Sequence, residues 1–255
     1  MSSSSSSPII VAAELNNRAC VLIQNADYDE AITILKEGLQ IAKQSTKEAQ
    51  QQSQNCCSSS SAEEPQETSP QGCSNDNSAI ASFQLPPKEA ATADASTKTR
   101  KDPSKPFVCD DPLPITGFSS TMDSDDVVAH LSFILLFNLA LSYHLRALQD
   151  DIPSKEVSTR LMETAQRLYE YTFQLQSQLS EMSVLTTVAL LNNLAQVHKI
   201  LKNDYEAHQC DKLLLSALLL IVDMGEPAWK DSVDSYMSNV MHLIFAESTV
   251  TASAA

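Results

Sequence analysis

Between residues 157 and 182 the mostly apolar positions Val157, Leu161, Ala165, Leu168, Thr172, Leu175, Leu179 and Met182 recur every three or four residues. That spacing keeps one stripe on one side of a 3.6-residue helix, so the stretch predicts a single long amphipathic helix. Pro153 stands just before it, where a missing N–H costs a helix nothing. The same period predicts a helix over about 127–149, capped by Asp125 or Ser124, and two more over about 184–202 and 204–222. Gly225 and Pro227 then break the pattern. A last helix over about 228–246 carries Val233, Tyr236, Met237, Val240, Met241 and Ile244 on one side. At the other end, helices over about 9–25 and 28–47 meet at Asn25-Ala26-Asp27.

Residues 49–126 have no sustained apolar period and are rich in Ser, Gln, Pro and Asp. Such a tract cannot bury enough surface to offset its ordering entropy and is expected to be a disordered linker. The expected organisation is therefore a disordered start at 1–8, a helical hairpin over 9–48, the linker, a larger helical part over 127–246, and a disordered tail at 247–255. Loop closure grows only slowly in cost with length, so the two helical parts can still stack across the linker.

The chain also repeats a phrase. Residues 14–32 read ELNNRACVLIQNADYDEAI and residues 190–208 read LLNNLAQVHKILKNDYEAH. Helical hairpins that recur with small and large residues in register suggest stacked units sharing one core. The first hairpin resembles the tetratricopeptide repeat: Leu15, Ala19 and Leu22 fill the signature positions of its first helix, and Ala31 and Leu35 those of its second. The second hairpin matches through Leu136, Leu139, Ala140, Tyr143, Ala165 and Tyr169, and the third through Leu191, Leu194, Ala195, His198 and Ala207. Arg18, Lys43 and Asp211 depart from the pattern. The LNN phrasing is also locally similar to repeats of the kinesin light chain group. The resemblance implies an all-α short solenoid of antiparallel hairpins, interrupted by the linker and closed by a C-terminal capping helix.

It further implies that the first helix of each hairpin lines a concave groove. The equivalent groove-side residues are Asn17, Asn138 and Asn193, with Gln24, His144, Gln196 and Lys199 further along the same stripes. A primary amide carries two donors and one acceptor, so it can bond the main chain of an extended peptide whatever that peptide's sequence. The plainer role for these asparagines is to tie neighbouring helices together. Asn16 and Asn192 are adjacent candidates, whereas their counterpart is Phe137. Lys199 alone is reliably positive, too little for a clamp on terminal carboxylates. One linker stretch, 105–114 (KPFVCDDPLP), pairs apolar anchors with proline-imposed extension and is a candidate to dock in the chain's own groove.

Composition narrows the function classes. Asp and Glu number 32 against 17 Lys and Arg, giving a net charge of −15 that repels phosphate backbones and anionic lipid. Nucleic acid and bare membrane are thus poor partners. The 4 glycines and 5% aromatics argue against sandwiches, barrels and Gly-rich nucleotide folds. Six cysteines form no C-x-x-C pair, and five histidines show no metal-ligand spacing, so no metal or other cofactor is expected and no enzyme is indicated. The start MSSSSSSP has neither a basic nor an apolar signal region, and the run 131–141 is shorter than the ~20 residues of a membrane span. A cytoplasmic protein is expected, with nuclear residence conceivable from KTRKDPSK. The expected function is a non-catalytic scaffold or adaptor that binds a peptide segment of another protein. Its rival is a structural subunit packed permanently in a larger assembly; the partner and oligomeric state are not written in the sequence.

Overall fold

The computed structural model describes residues 7–57, 107–116, 124–177, 179, 183–224, 233–241 and 243–244. Those residues form α1 (Pro8–Gln24), α2 (Tyr28–Cys57), α3 (Ser124–Ala147), α4 (Lys155–Gln176), α5 (Val184–Leu201) and α6 (Asp204–Met224). A seventh helix, α7, covers 233–241. All regular structure among the described residues is helical, and the helices pack on one another.

Most boundaries follow local chemistry. Pro8 occupies the first turn of α1, where no N–H is needed. The Ser154 side chain accepts the Val157 N–H and caps α4, one residue after Pro153. Lys202 ends α5 with φ 62°, and Ala26 holds φ 64° in the turn between α1 and α2. Both are left-handed positions that a Cβ disfavours by about 1 kcal/mol. Lys202→Gly is accordingly expected to stabilise the chain by about 0.5–1 kcal/mol, read as a rise in thermal midpoint.

Three expectations change. The helix expected over 157–182 stops at Gln176, so Leu179 lies beyond it, while Met182 lies outside the described residues. Its buried face is Met162, Ala165, Tyr169 and Thr172, with Val157 exposed. Helix α2 does not stop near 48 but continues to Cys57. Residues 107–116, assigned to a disordered linker, are seated against the helices, with Cys109 and Ile115 buried. Of the start expected to be disordered at 1–8, Pro8 instead opens α1. Residues 1–6, the linker stretches 58–106 and 117–123, and the tail 247–255 lie outside the described residues.

Helices α1 and α2 pack as a hairpin, as do α3 with α4 and α5 with α6. The hairpins meet through α2 on α3 and α4 on α5, with α1, α3 and α5 also in contact along their row. One apolar core runs through all of them. Ala12, Ala19, Ala31, Ala140, Ala165 and Ala195 are each fully buried where the helices approach. A Cβ at Gly38 would lie 3.0 Å from Leu135 Cδ2, so α2 meets α3 at close range there. Helix α3 is the central element: Phe133, Leu135, Phe137 and Leu141 are at most 1% exposed. It is long and apolar enough to cross a membrane, but 78% of its apolar window is buried inside this molecule.

Candidate functional site: an asparagine ladder

The segment 107–116 lies across the row of first helices and is held by its main chain. Ile115 N–H donates to Asn17 Oδ1 at 2.7 Å, and Asn17 Nδ2 donates to Ile115 O at 2.9 Å. Leu113 N–H donates to Asn138 Oδ1, and Asn138 Nδ2 to Leu113 O, both at 2.8 Å. Cys109 N–H donates to Asn193 Oδ1, and Asn193 Nδ2 to Cys109 O, both at 2.9 Å. Phe107 N–H donates to Asn239 Oδ1 at 3.1 Å, and Asn239 Nδ2 to Phe107 O at 2.7 Å.

Each asparagine thus grips both polar groups of one residue. A residue shows its N–H and C=O on the same side only when the chain is extended, and the next residue to do so on that side is two further on. Phe107 with Cys109, and Leu113 with Ile115, keep that step of two. Pro112 lies between gripped Cys109 and Leu113, and Pro114 between Leu113 and Ile115, at positions where no amide proton is used. A proline also drives the residue before it toward extended geometry, and Leu113 precedes Pro114. The segment's sequence therefore fits the ladder on both counts: donors where they are needed, and rigid extension between them.

A second layer of amides braces the first. Asn16 Nδ2 donates to Leu113 O at 3.0 Å, and Asn138 Nδ2 reaches Asn16 Oδ1 at 2.9 Å, linking α1 to α3. Asn192 Nδ2 donates to Phe107 O at 3.2 Å, and Asn239 Nδ2 donates to Asn192 Oδ1 at 2.6 Å, linking α5 to α7. So the asparagines bind the extended segment and also tie helices together. Asn193 Nδ2 further meets the hydroxyl of buried Tyr169 at 3.3 Å. Side chains of the segment fill the space between: Phe107 stands edge-on to Tyr236 with ring centroids 5.1 Å apart.

The other candidates divide. Gln24 is exposed near the end of α1. Gln196 is buried on α5 one turn beyond Asn193, and its Nε2 has no hydrogen-bond partner. Lys199 does not offer a free charge to the groove: its Nζ lies 2.9 Å from Oδ2 of Asp211, which is 1% exposed. His144 is fully buried edge-on to Tyr169, with neither ring nitrogen bonded. Asn239 escaped sequence reasoning, although Met237-Ser238-Asn239-Val240 repeats the phrasing of Leu191-Asn192-Asn193-Leu194. The last helix was read for its apolar side alone.

Burial sets the titration behaviour. It pushes the Cys20 thiol up to about 12 and the Cys210 thiol to about 11, and raises the Cys109 thiol as well. These thiols are protonated small hydrophobes at neutral pH, and none is a ready nucleophile. Burial likewise depresses His144 to about 4. The unfolded chain takes up this proton near pH 6.5, while the folded chain resists it until about 4. Stability from neutral His144 is therefore complete above pH 6.5 and lost as pH falls toward 4, by about 3 kcal/mol. His144→Leu should flatten that part of the urea-midpoint profile between pH 6.5 and 4.

The chain matches no family model, no curated protein and no solved structure.

Proposed function

We propose that this chain is a non-catalytic adaptor of tetratricopeptide-like build, whose concave face binds an extended segment of another protein by its main chain. The observation that carries the proposal is the ladder of Asn17, Asn138, Asn193 and Asn239, each holding the N–H and C=O of one extended residue. Such a grip is indifferent to side-chain identity, so it suits recognition of peptides rather than turnover of a small substrate. Selection of extended peptides from a displayed library tests it. The full chain should enrich binders that the Asn17/Asn138/Asn193→Ala variant, checked for helicity by circular dichroism, fails to hold. Equal binding by that variant would remove the ladder as the site.

The rival reading, a subunit of a permanent assembly, has one observation behind it. Leu213, Leu220 and Met224 lie along one flank of α6, each 47–52% exposed. A large assembly would cover such a stripe. Sedimentation velocity of the purified chain separates the two: a monodisperse small species favours the adaptor, and progressive association favours the subunit.

A further inference from the structure

We infer that residues 107–115 are the groove's resident ligand: a tethered pseudo-peptide that an incoming partner must displace, and whose pattern describes that partner. The inference rests on the groove reading above. Every rung of the ladder is taken up by this segment, so a second peptide cannot use Asn17, Asn138, Asn193 and Asn239 while it stays. The segment crosses from α7 and α5 to α3 and α1, contacting Asn239, Asn193, Asn138 and Asn17 in that order.

Cys109, Pro112 and Ile115 are buried, while the rest of the segment keeps contact with solvent. The hold is through side-chain amides rather than a continuous ladder of strand pairs. Asp110, Asp111 and Thr116 are exposed, and Phe107, Val108, Leu113 and Pro114 are only partly buried. Only seven residues, 117–123, separate the segment from α3. A tether of that length gives an effective concentration on the order of millimolar, which a free competitor must exceed. The same arrangement that fills the groove also tunes it, because any change that loosens the segment raises the apparent affinity for a partner.

The partner's chemistry follows from what the groove grips and what it leaves to solvent. Four non-proline residues in two pairs, spaced as 107, 109, 113 and 115, must present N–H and C=O. Apolar side chains belong at those four places, small at the second, where Cys109 is buried beside Tyr236. Prolines fit at the intervening positions that match 112 and 114. The acidic pair 110–111 is exposed, and the Asp110 charge acts on Tyr28. The fitting partner is an extended, proline-interleaved apolar segment of another protein.

The test uses the full chain and a fluorescent synthetic peptide of residues 105–117 carrying Cys109→Ala. Cys109→Pro/Ile115→Pro in the chain deletes two gripped amide protons while leaving the groove and the tether length unaltered. Fluorescence anisotropy should show the peptide binding this variant about 100-fold or more tighter than the unaltered chain, within the range tethering produces. Adding Asn138→Ala should abolish that gain. Equal affinity for both chains would overturn the inference while leaving the groove reading intact. A helical variant that binds no peptide would overturn both. Should the variant lose its helicity, amide exchange on the unaltered chain decides. Cys109, Leu113 and Ile115 amides opening well ahead of the core helices support a displaceable ligand, and exchange only through global unfolding overturns it.

Discussion

Asn193→Asp should destabilise the chain by about 3–5 kcal/mol, seen as a large fall in the urea midpoint at neutral pH. Asn193 is completely buried, so the new carboxylate would have no solvent. Where Nδ2 now donates to Cys109 O at 2.9 Å and to the Tyr169 hydroxyl at 3.3 Å, an oxygen would face the carbonyl instead. The Cys109 N–H, which donates to Oδ1, would still be accepted, but one bond does not offset an isolated buried charge. Asn193→Ala is the milder control. It strands the N–H and C=O of Cys109 without adding charge, for about 2–3 kcal/mol. If aspartate and alanine cost the same, the site admits water, and the ladder is looser than the geometry indicates.

Tyr169→Ala should cost about 3–5 kcal/mol by leaving a large cavity between α3, α4 and α5. The ring is fully buried, 5.9 Å from Phe137 and 6.1 Å from His144 between ring centroids. Its hydroxyl, held protonated far above the usual tyrosine range by burial, meets Asn193 Nδ2 and so helps to aim the rung that grips Cys109. Tyr169→Phe keeps the ring and removes only that contact, for about 1 kcal/mol. Thermal denaturation ranks the pair, and amide exchange at Cys109 reads the rung itself. Faster exchange at Cys109 in Tyr169→Phe, with the helices unaffected, would show that the hydroxyl positions Asn193. No change would confine Tyr169 to packing.

Much of this architecture is legible along the chain because helices are local. The hydrogen bonds of α1, α5 and α6 close within four residues, and their apolar faces repeat at the same spacing. Their ends at Gln24, Leu201 and Met224 fall within two residues of the pattern's limits. Composition alone misjudged 107–116. Its apolar residues are few and have no helical period, since the partner that orders them lies up to 132 residues away, as for Phe107 and Asn239. The pattern read for Lys199 and His144 placed them on groove-side stripes. A stripe position does not reveal that Lys199 turns to Asp211 twelve residues on, or that α4 brings Tyr169 over His144.

What the sequence determined by itself was the helical class, the hairpin units and the register of Asn17, Asn138 and Asn193, because each depends on spacing within one helix. Even the candidacy of KPFVCDDPLP was visible, since prolines impose extension on their own neighbours. Only the tertiary structure decided that the three asparagines line up with Asn239 at the pitch of an extended chain and that residues 107–115 occupy them. That alignment is a distance between helices, fixed by how closely fully buried alanines such as Ala19, Ala140 and Ala195 let the units pack.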